Sequence, residues 1–151
     1  MKVNPYLTFD GDCEEAFKVY EKVLGGKIIA MMTHRDTPAE AHVSAEWRDK
    51  ILHARLVFGD NVLMASDAPP GRQEKMQGFS VSLVTQDPAE AERVFNALSE
   101  GGTVMMPLAE TFWAVKFGMF RDRFGTPWMV NCLIDRLIFA DLLSPSQDRR
   151  P

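Results

Sequence analysis

The chain states one pattern twice, and that repetition constrains its fold more than any other feature. From Asn4 and again from Gly78 it runs strand, Asp-started amphipathic helix, Gly-Gly, then further strands. Asp12 to Tyr20 and Asp87 to Phe95 have the same spacing, and Arg55 to Gly59 lines up with Arg121 to Gly125. A βαβββ unit buries one sheet face under its helix and leaves a second, concave face over. Two such units side by side can close that face into a partial barrel with a cavity. The expected class is therefore α+β, with mixed sheets built from paired βαβββ modules.

Local signals support each element. In the first unit Asn4 to Phe9 reads as a strand, with Leu7 and Phe9 inward and Tyr6 and Thr8 outward. Asp12 is the expected N-cap, and Glu14 and Glu15 favour the first helical turn. Ala16, Phe17, Tyr20, Val23 and Leu24 share one helical face, and Gly25-Gly26 stops the helix. Strands follow at Lys27 to Thr33, Ile51 to Phe58 and Asn61 to Ser66. In the third strand Leu52, Ala54, Leu56 and Phe58 are expected inward, with His53, Arg55 and Val57 opposite. His34 to Lys50 reads as a long loop, functional or mobile, with a short helix near Ser44 to Arg48.

The second unit repeats the plan. Strand Gly78 to Thr85 leads through Asp87-Pro88 into a helix with the stripe Ala91, Val94, Phe95, Leu98. Gly101-Gly102 ends it, and Thr103 to Met106 is the next strand. Trp113 to Arg121 and Trp128 to Cys132 form a hairpin around Asp122 to Pro127. One domain spans 1–134, with modules at about 1–67 and 78–134 joined by the linker Asp67 to Gln77. Residues 135–151 are a tail whose Leu137, Ile138 and Phe139 could add a helical turn.

Composition excludes several functions. The chain has 151 residues, 46% hydrophobic and 25% charged, enough to bury one core. A net charge of −4 without a basic stripe argues against nucleic acid. No apolar run could span a bilayer, and the first residues carry no secretory signal. Cys13 and Cys132 have neither metal spacing nor a framework pattern, so two free thiols and a cytoplasmic location are expected.

The candidate site follows from alternation. Trp113, Phe117 and Met119 share a face with Arg121, and His53 and Arg55 lie on the concave face of their own sheet. The expected ligand-binding set is Tyr6, His53, Arg55, Trp113, Phe117 and Arg121. Aromatic walls with a few convergent polar groups suit a small aromatic or anionic molecule. The structural alternative pairs the arginines with Asp67, Glu110 or Asp122 and makes His53 a hydrogen-bonded cavity residue. His34 and His42 are expected in solvent. There is no Ser/His/Asp grouping, phosphate loop or dinucleotide fingerprint.

Ordered short motifs across Asn4 to Asn131 add a resemblance. They include Pro5-Tyr6-Leu7, Leu24-Gly25-Gly26, His53-Ala54-Arg55-Leu56, Met106-Pro107-Leu108, Thr111-Phe112-Trp113, Phe124-Gly125 and Pro127-Trp128-Met129. In these the chain resembles the PhnB-like group of the vicinal oxygen chelate superfamily. That superfamily includes glyoxalase, fosfomycin- and bleomycin-resistance proteins and extradiol dioxygenases. The resemblance implies the paired-module fold, an intimate homodimer and a concave-face site. Superfamily enzymes hold a divalent metal there with His and Glu. The corresponding slots here fall at Asn4 or Pro5, Ser80, near Leu63, and Met129, which suit such an ion poorly. The expectation is a small-molecule binding protein with no metal cofactor, its catalysis left open. The alternatives are a metal-dependent lyase or dioxygenase using His53 with Asp67 or Glu110, and an interaction domain with a vestigial pocket.

Overall fold

The computed structural model describes residues 1–134, so the expectations for 135–151 lie outside the described residues. The first module contains β1 (Tyr6–Phe9), α1 (Cys13–Leu24), β2 (Lys27–Thr33), β3 (Ile51–Phe58) and β4 (Asn61–Asp67). The second contains β5 (Val81–Thr85), α2 (Pro88–Ser99), β6 (Thr103–Ala109), β7 (Ala114–Arg121) and β8 (Pro127–Leu133). The strand orders are β1-β4-β3-β2 and β5-β8-β7-β6, the same plan twice. In each sheet the first and last strands of the module pair in parallel and the other pairs are antiparallel. The α+β class expected from the repeat is the one observed.

The hydrophobic effect sets which face is which. α1 buries Ala16, Phe17, Tyr20 and Val23, and α2 buries Ala91, Val94, Phe95 and Leu98. These stripes join Leu7, Phe9, Leu56, Phe120, Trp128 and Val130 in one core. The two helices pack against each other, so the modules are joined on their helix side.

A buried polar knot fixes that junction. The Tyr20 hydroxyl donates to Asp122 Oδ2 at 2.5 Å and meets the Thr126 hydroxyl at 2.9 Å. Trp128 Nε1 donates to the same Asp122 oxygen at 2.8 Å. The other oxygen accepts the backbone amides of Phe124 and Thr126, each at 2.9 Å. Asp122 thus shapes the β7–β8 turn and holds α1 of the other module. Burial, then the neighbouring Asp122 charge, pushes the Tyr20 phenol well above its ordinary pKa.

Several local expectations need correction. β1 begins at Tyr6 and β5 at Val81, later than the sequence suggested, and β6 runs on to Ala109. Asp12 makes no side-chain cap bond on α1. Asp67 does that work from the end of β4: Oδ1 accepts Gly11 N at 2.9 Å and Cys13 N at 3.0 Å, and Oδ2 accepts Ile51 N at 2.8 Å. Ile51, not Leu52, enters the core, because the β2–β3 pairing slips between Met32 and Thr33. The loop after β2 is tied down. Arg35 forks onto Asp49 at 2.6 and 2.8 Å, and Lys50 Nζ donates to Gly11 O at 2.7 Å. His34 is 5% exposed, its Nδ1 3.0 Å from Lys50 O, so it is a structural rather than a solvated histidine. His42 is exposed as expected, and Ser44 to Arg48 contains a 3-10 turn at Ala45–Trp47.

Candidate functional site

Two groups of side chains stand on the helix-free faces of the sheets. On the first sheet, β1 turns Leu7 and Phe9 under α1, so Tyr6 and Thr8 point the other way. In β3 buried Ala54 and Leu56 send His53 and Arg55 to that same face. Tyr6 Oη and His53 Nδ1 are 3.3 Å apart, and their rings stack at 5.9 Å with 29° between planes. Tyr6 pairs in register with Met64 and Met64 with Arg55, so Arg55 shares a cross-strand row with Tyr6. Arg55 has no ion-pair partner among the described residues.

The second sheet carries the aromatic group. Phe117, Met119 and Arg121 alternate with buried Gly118 and Phe120 on β7. Trp113, just before the strand, sets its ring edge-on to Phe117 at 5.5 Å, and Phe112 meets Trp113 at 4.7 Å. Met106, Met119, Met129 and Ser82 form one cross-strand row. Val84, Asn131, Phe117 and Ala109 form the next. Asn131 Oδ1 is buried without a hydrogen-bond partner among the described residues. A buried acceptor with no donor calls for an explanation, and a ligand donor would supply one. Sequence reasoning passed over Asn131, although it lies two residues from Met129 on the same strand.

The structure brings Tyr6 and His53 together, and Trp113 and Phe117 together. It does not join the two groups within one chain, because the modules meet through their helices. Arg121 is also redirected: its Nη1 donates to Met76 O at 2.5 Å and Gly125 O at 2.7 Å. It therefore binds neither the carboxylates proposed for it nor open space. Asp67 and Asp122 are both satisfied by the buried bonds above, so neither neutralises an arginine.

Two of the clefts on the surface of the described residues bear on ligand binding. One of about 540 Å³ runs between β5 and the start of β4, with Ala91 and Val94 of α2 behind it. It is chiefly aliphatic, with two carboxylates in its lining, Asp60 and Glu90, of which Glu90 is already held by Arg93 at 2.7 and 2.8 Å. The other, about 290 Å³, lies over Tyr6 and Thr8 and is walled by the linker residues Arg72, Lys75 and Met76 and by Phe79 just beyond them. The smaller cleft is the one that Tyr6, the partner of His53, helps to line.

A hard divalent ion does not fit this donor set. Leu63 is 2% exposed on the helix side, and the residue beside it on the open face is Met64. Met129 pairs with Ser82 across the second sheet. Thioethers and a lone hydroxyl are poor ligands for such ions. Asp67 lies buried on the far side of the sheet from His53, which removes it as a displaced ligand. Among the described residues no three His, Cys, Asp or Glu side chains gather as a metal site. Cys13 is no nucleophile either: burial, then the Asp67 charge, pushes its thiol far above the ordinary range.

Comparison with known proteins gives a consistent picture. Residues 2–130 match the family model described as Glyoxalase/Bleomycin resistance protein/Dioxygenase superfamily. Protein YjdN of Escherichia coli (strain K12) is 35% identical over 139 residues, covering 87% of this chain and 95% of that protein. The crystal structure of PA1353 from Pseudomonas aeruginosa is 54% identical with a TM-score of 0.82, covering 89% of this chain and 99% of that one. A PhnB protein from Bacillus cereus shares the fold at 23% identity and a TM-score of 0.73, over 87% and 98% of the respective chains.

Proposed function

Because the chain belongs to the glyoxalase/bleomycin resistance protein/dioxygenase superfamily, we propose that it binds a small aromatic or anionic molecule on its helix-free sheet faces. The observation that carries this reading is the Tyr6–His53 pair. Two polar aromatic side chains contact each other on a sheet face that the core does not cover. The second sheet supplies an aromatic wall in Trp113 and Phe117. Binding by this site needs no hard divalent metal.

The complete pocket forms in a homodimer, where the second module of one copy faces the first module of the other. Tyr6, Ile29 and Met32 on the first sheet, and Val84, Met106 and Phe112 on the second module, are each more than 40% exposed. Monomeric proteins rarely leave apolar surface of this extent uncovered. A cytoplasmic setting agrees with the two unpaired buried thiols.

The test combines light scattering with a thermal-shift screen of small aromatic and anionic fragments. A dimer, and hits lost in both His53→Ala and Trp113→Ala, are expected. A monomer at micromolar concentration contradicts the shared pocket. A dimer that no fragment stabilises favours an interaction domain with a vestigial pocket.

A further inference from the structure

We propose that the inter-module linker, rather than a second arginine from the sheet, supplies the cationic wall of the site. It makes the pocket selective for a small organic anion. The inference rests on the small-molecule reading above and adds the ligand's charge and the residues that read it. Arg121 is the starting point. Its Nη1 donates to both Met76 O and Gly125 O, which ties the guanidinium to the linker and the β7–β8 turn. Met76 also packs against the core, with its sulfur 4.0 Å from the Thr126 hydroxyl. The linker is therefore pinned at Met76, directly across the face of β1.

That pinning builds the cleft of about 290 Å³ in which Arg72 and Lys75 flank Tyr6 and Thr8. Its volume is just below the range usual for small-molecule sites, about 300 to 1,000 Å³. Glu74 is the one carboxylate in its lining. Neither Arg72 nor Lys75 forms an ion pair among the described residues. Arg55 adds a third cation in the cross-strand row of Tyr6. Cations concentrated at one cleft, in a chain of net charge −4, make a local positive field that attracts an anion. The Tyr6–His53 hydrogen bond leaves one donor of the pair free for it: His53 Nε2–H when Tyr6 donates to Nδ1, the Tyr6 hydroxyl when Nδ1–H donates. Phe79 gives an apolar wall for the body of the ligand. The shared chemistry is a carboxylate or phosphate head on a small organic group.

The test titrates the full chain with benzoate, benzyl alcohol and inorganic phosphate, following the His53 ring protons by NMR. Benzoate is expected to bind, with its affinity falling about tenfold or more in Arg72→Ala/Lys75→Ala, the scale of charge-assisted bonds. Benzyl alcohol should be unaffected by that change, and Arg72→Lys/Lys75→Arg should restore benzoate binding. Phosphate binding in addition shows that the head group suffices. Benzoate and benzyl alcohol binding equally, both indifferent to Arg72→Ala/Lys75→Ala, overturns the linker proposal and leaves the small-molecule reading standing. Shifts at His53 with none of the three probes overturn both. All these side chains lie on the surface, so unchanged thermal stability of the double variant checks that the fold is intact.

Discussion

Asp122→Ala tests the packing logic most sharply, because one carboxylate serves both modules. Its removal strips an acceptor from Trp128 Nε1 and from the amides of Phe124 and Thr126. Tyr20 loses less, since the Thr126 hydroxyl remains at 2.9 Å. A buried donor left unsatisfied costs about 1–3 kcal/mol. Phe124 is only partly buried and can turn to water, so two donors bear most of the loss. Two donors at that cost, plus the inter-module bond at about 1 kcal/mol, give a destabilisation of about 3–7 kcal/mol, among the larger single-site effects. Asp122→Asn keeps a carbonyl for the two amides but sets an NH₂ against the Trp128 N–H, and should cost about 1–3 kcal/mol. Urea unfolding followed by Trp fluorescence measures both. A loss below about 1 kcal/mol for Asp122→Ala would show that the knot contributes no more than an ordinary surface contact.

Other outcomes follow from the same geometry. Gly118→Ala places a Cβ 2.6 Å from Phe95 Cε2 and 3.0 Å from the Leu108 backbone, so overpacking should cost about 1–3 kcal/mol in denaturant midpoint measurements. Trp113→Ala should weaken fragment binding by about 1–3 kcal/mol in calorimetry, yet destabilise less than Phe95→Ala at about 3–5 kcal/mol. Alkaline pH should destabilise the fold. The folded pKa values of Cys13 and Tyr20 lie above their ordinary 9.0 and 10.0, so the unfolded chain releases these protons first. It then binds fewer protons than the folded one, and stability falls as pH rises past about 9. Cys13→Ser and Tyr20→Phe should each flatten that slope, and an unchanged slope in both would count against the burial argument.

Much of the fold was legible because its signals are local. The bounds of β2 and β3 agree with the sequence reading, and Gly25 adopts the left-handed conformation that ends α1. What stayed hidden depends on contacts between distant residues. The amide of Cys13 is capped by Asp67, 54 residues away, a partner that no N-cap rule can name. The Met32–Thr33 slip moved Ile51 inward although alternation favoured Leu52. His34 read as solvated because its partner, Lys50 O, closes the far end of a loop. In the site, alternation correctly put Tyr6, His53 and Arg55 on one face, since a strand has only two. It could not show that Arg121 would be taken up by the linker, or that Arg72 and Lys75 would border Tyr6. Those depend on the path of a segment that has no periodicity to read.

The most direct test of the central claim is NMR with labelled His and Trp rings, titrating the protein with each fragment that stabilises it. Tyr6–His53 and Trp113–Phe117 are assigned to one pocket completed in the dimer. The account predicts that a single fragment shifts both the His53 and the Trp113 ring resonances with the same affinity, leaving buried Trp128 unmoved. A fragment that stabilises the protein yet moves neither ring, or that moves one ring and never the other, would contradict it.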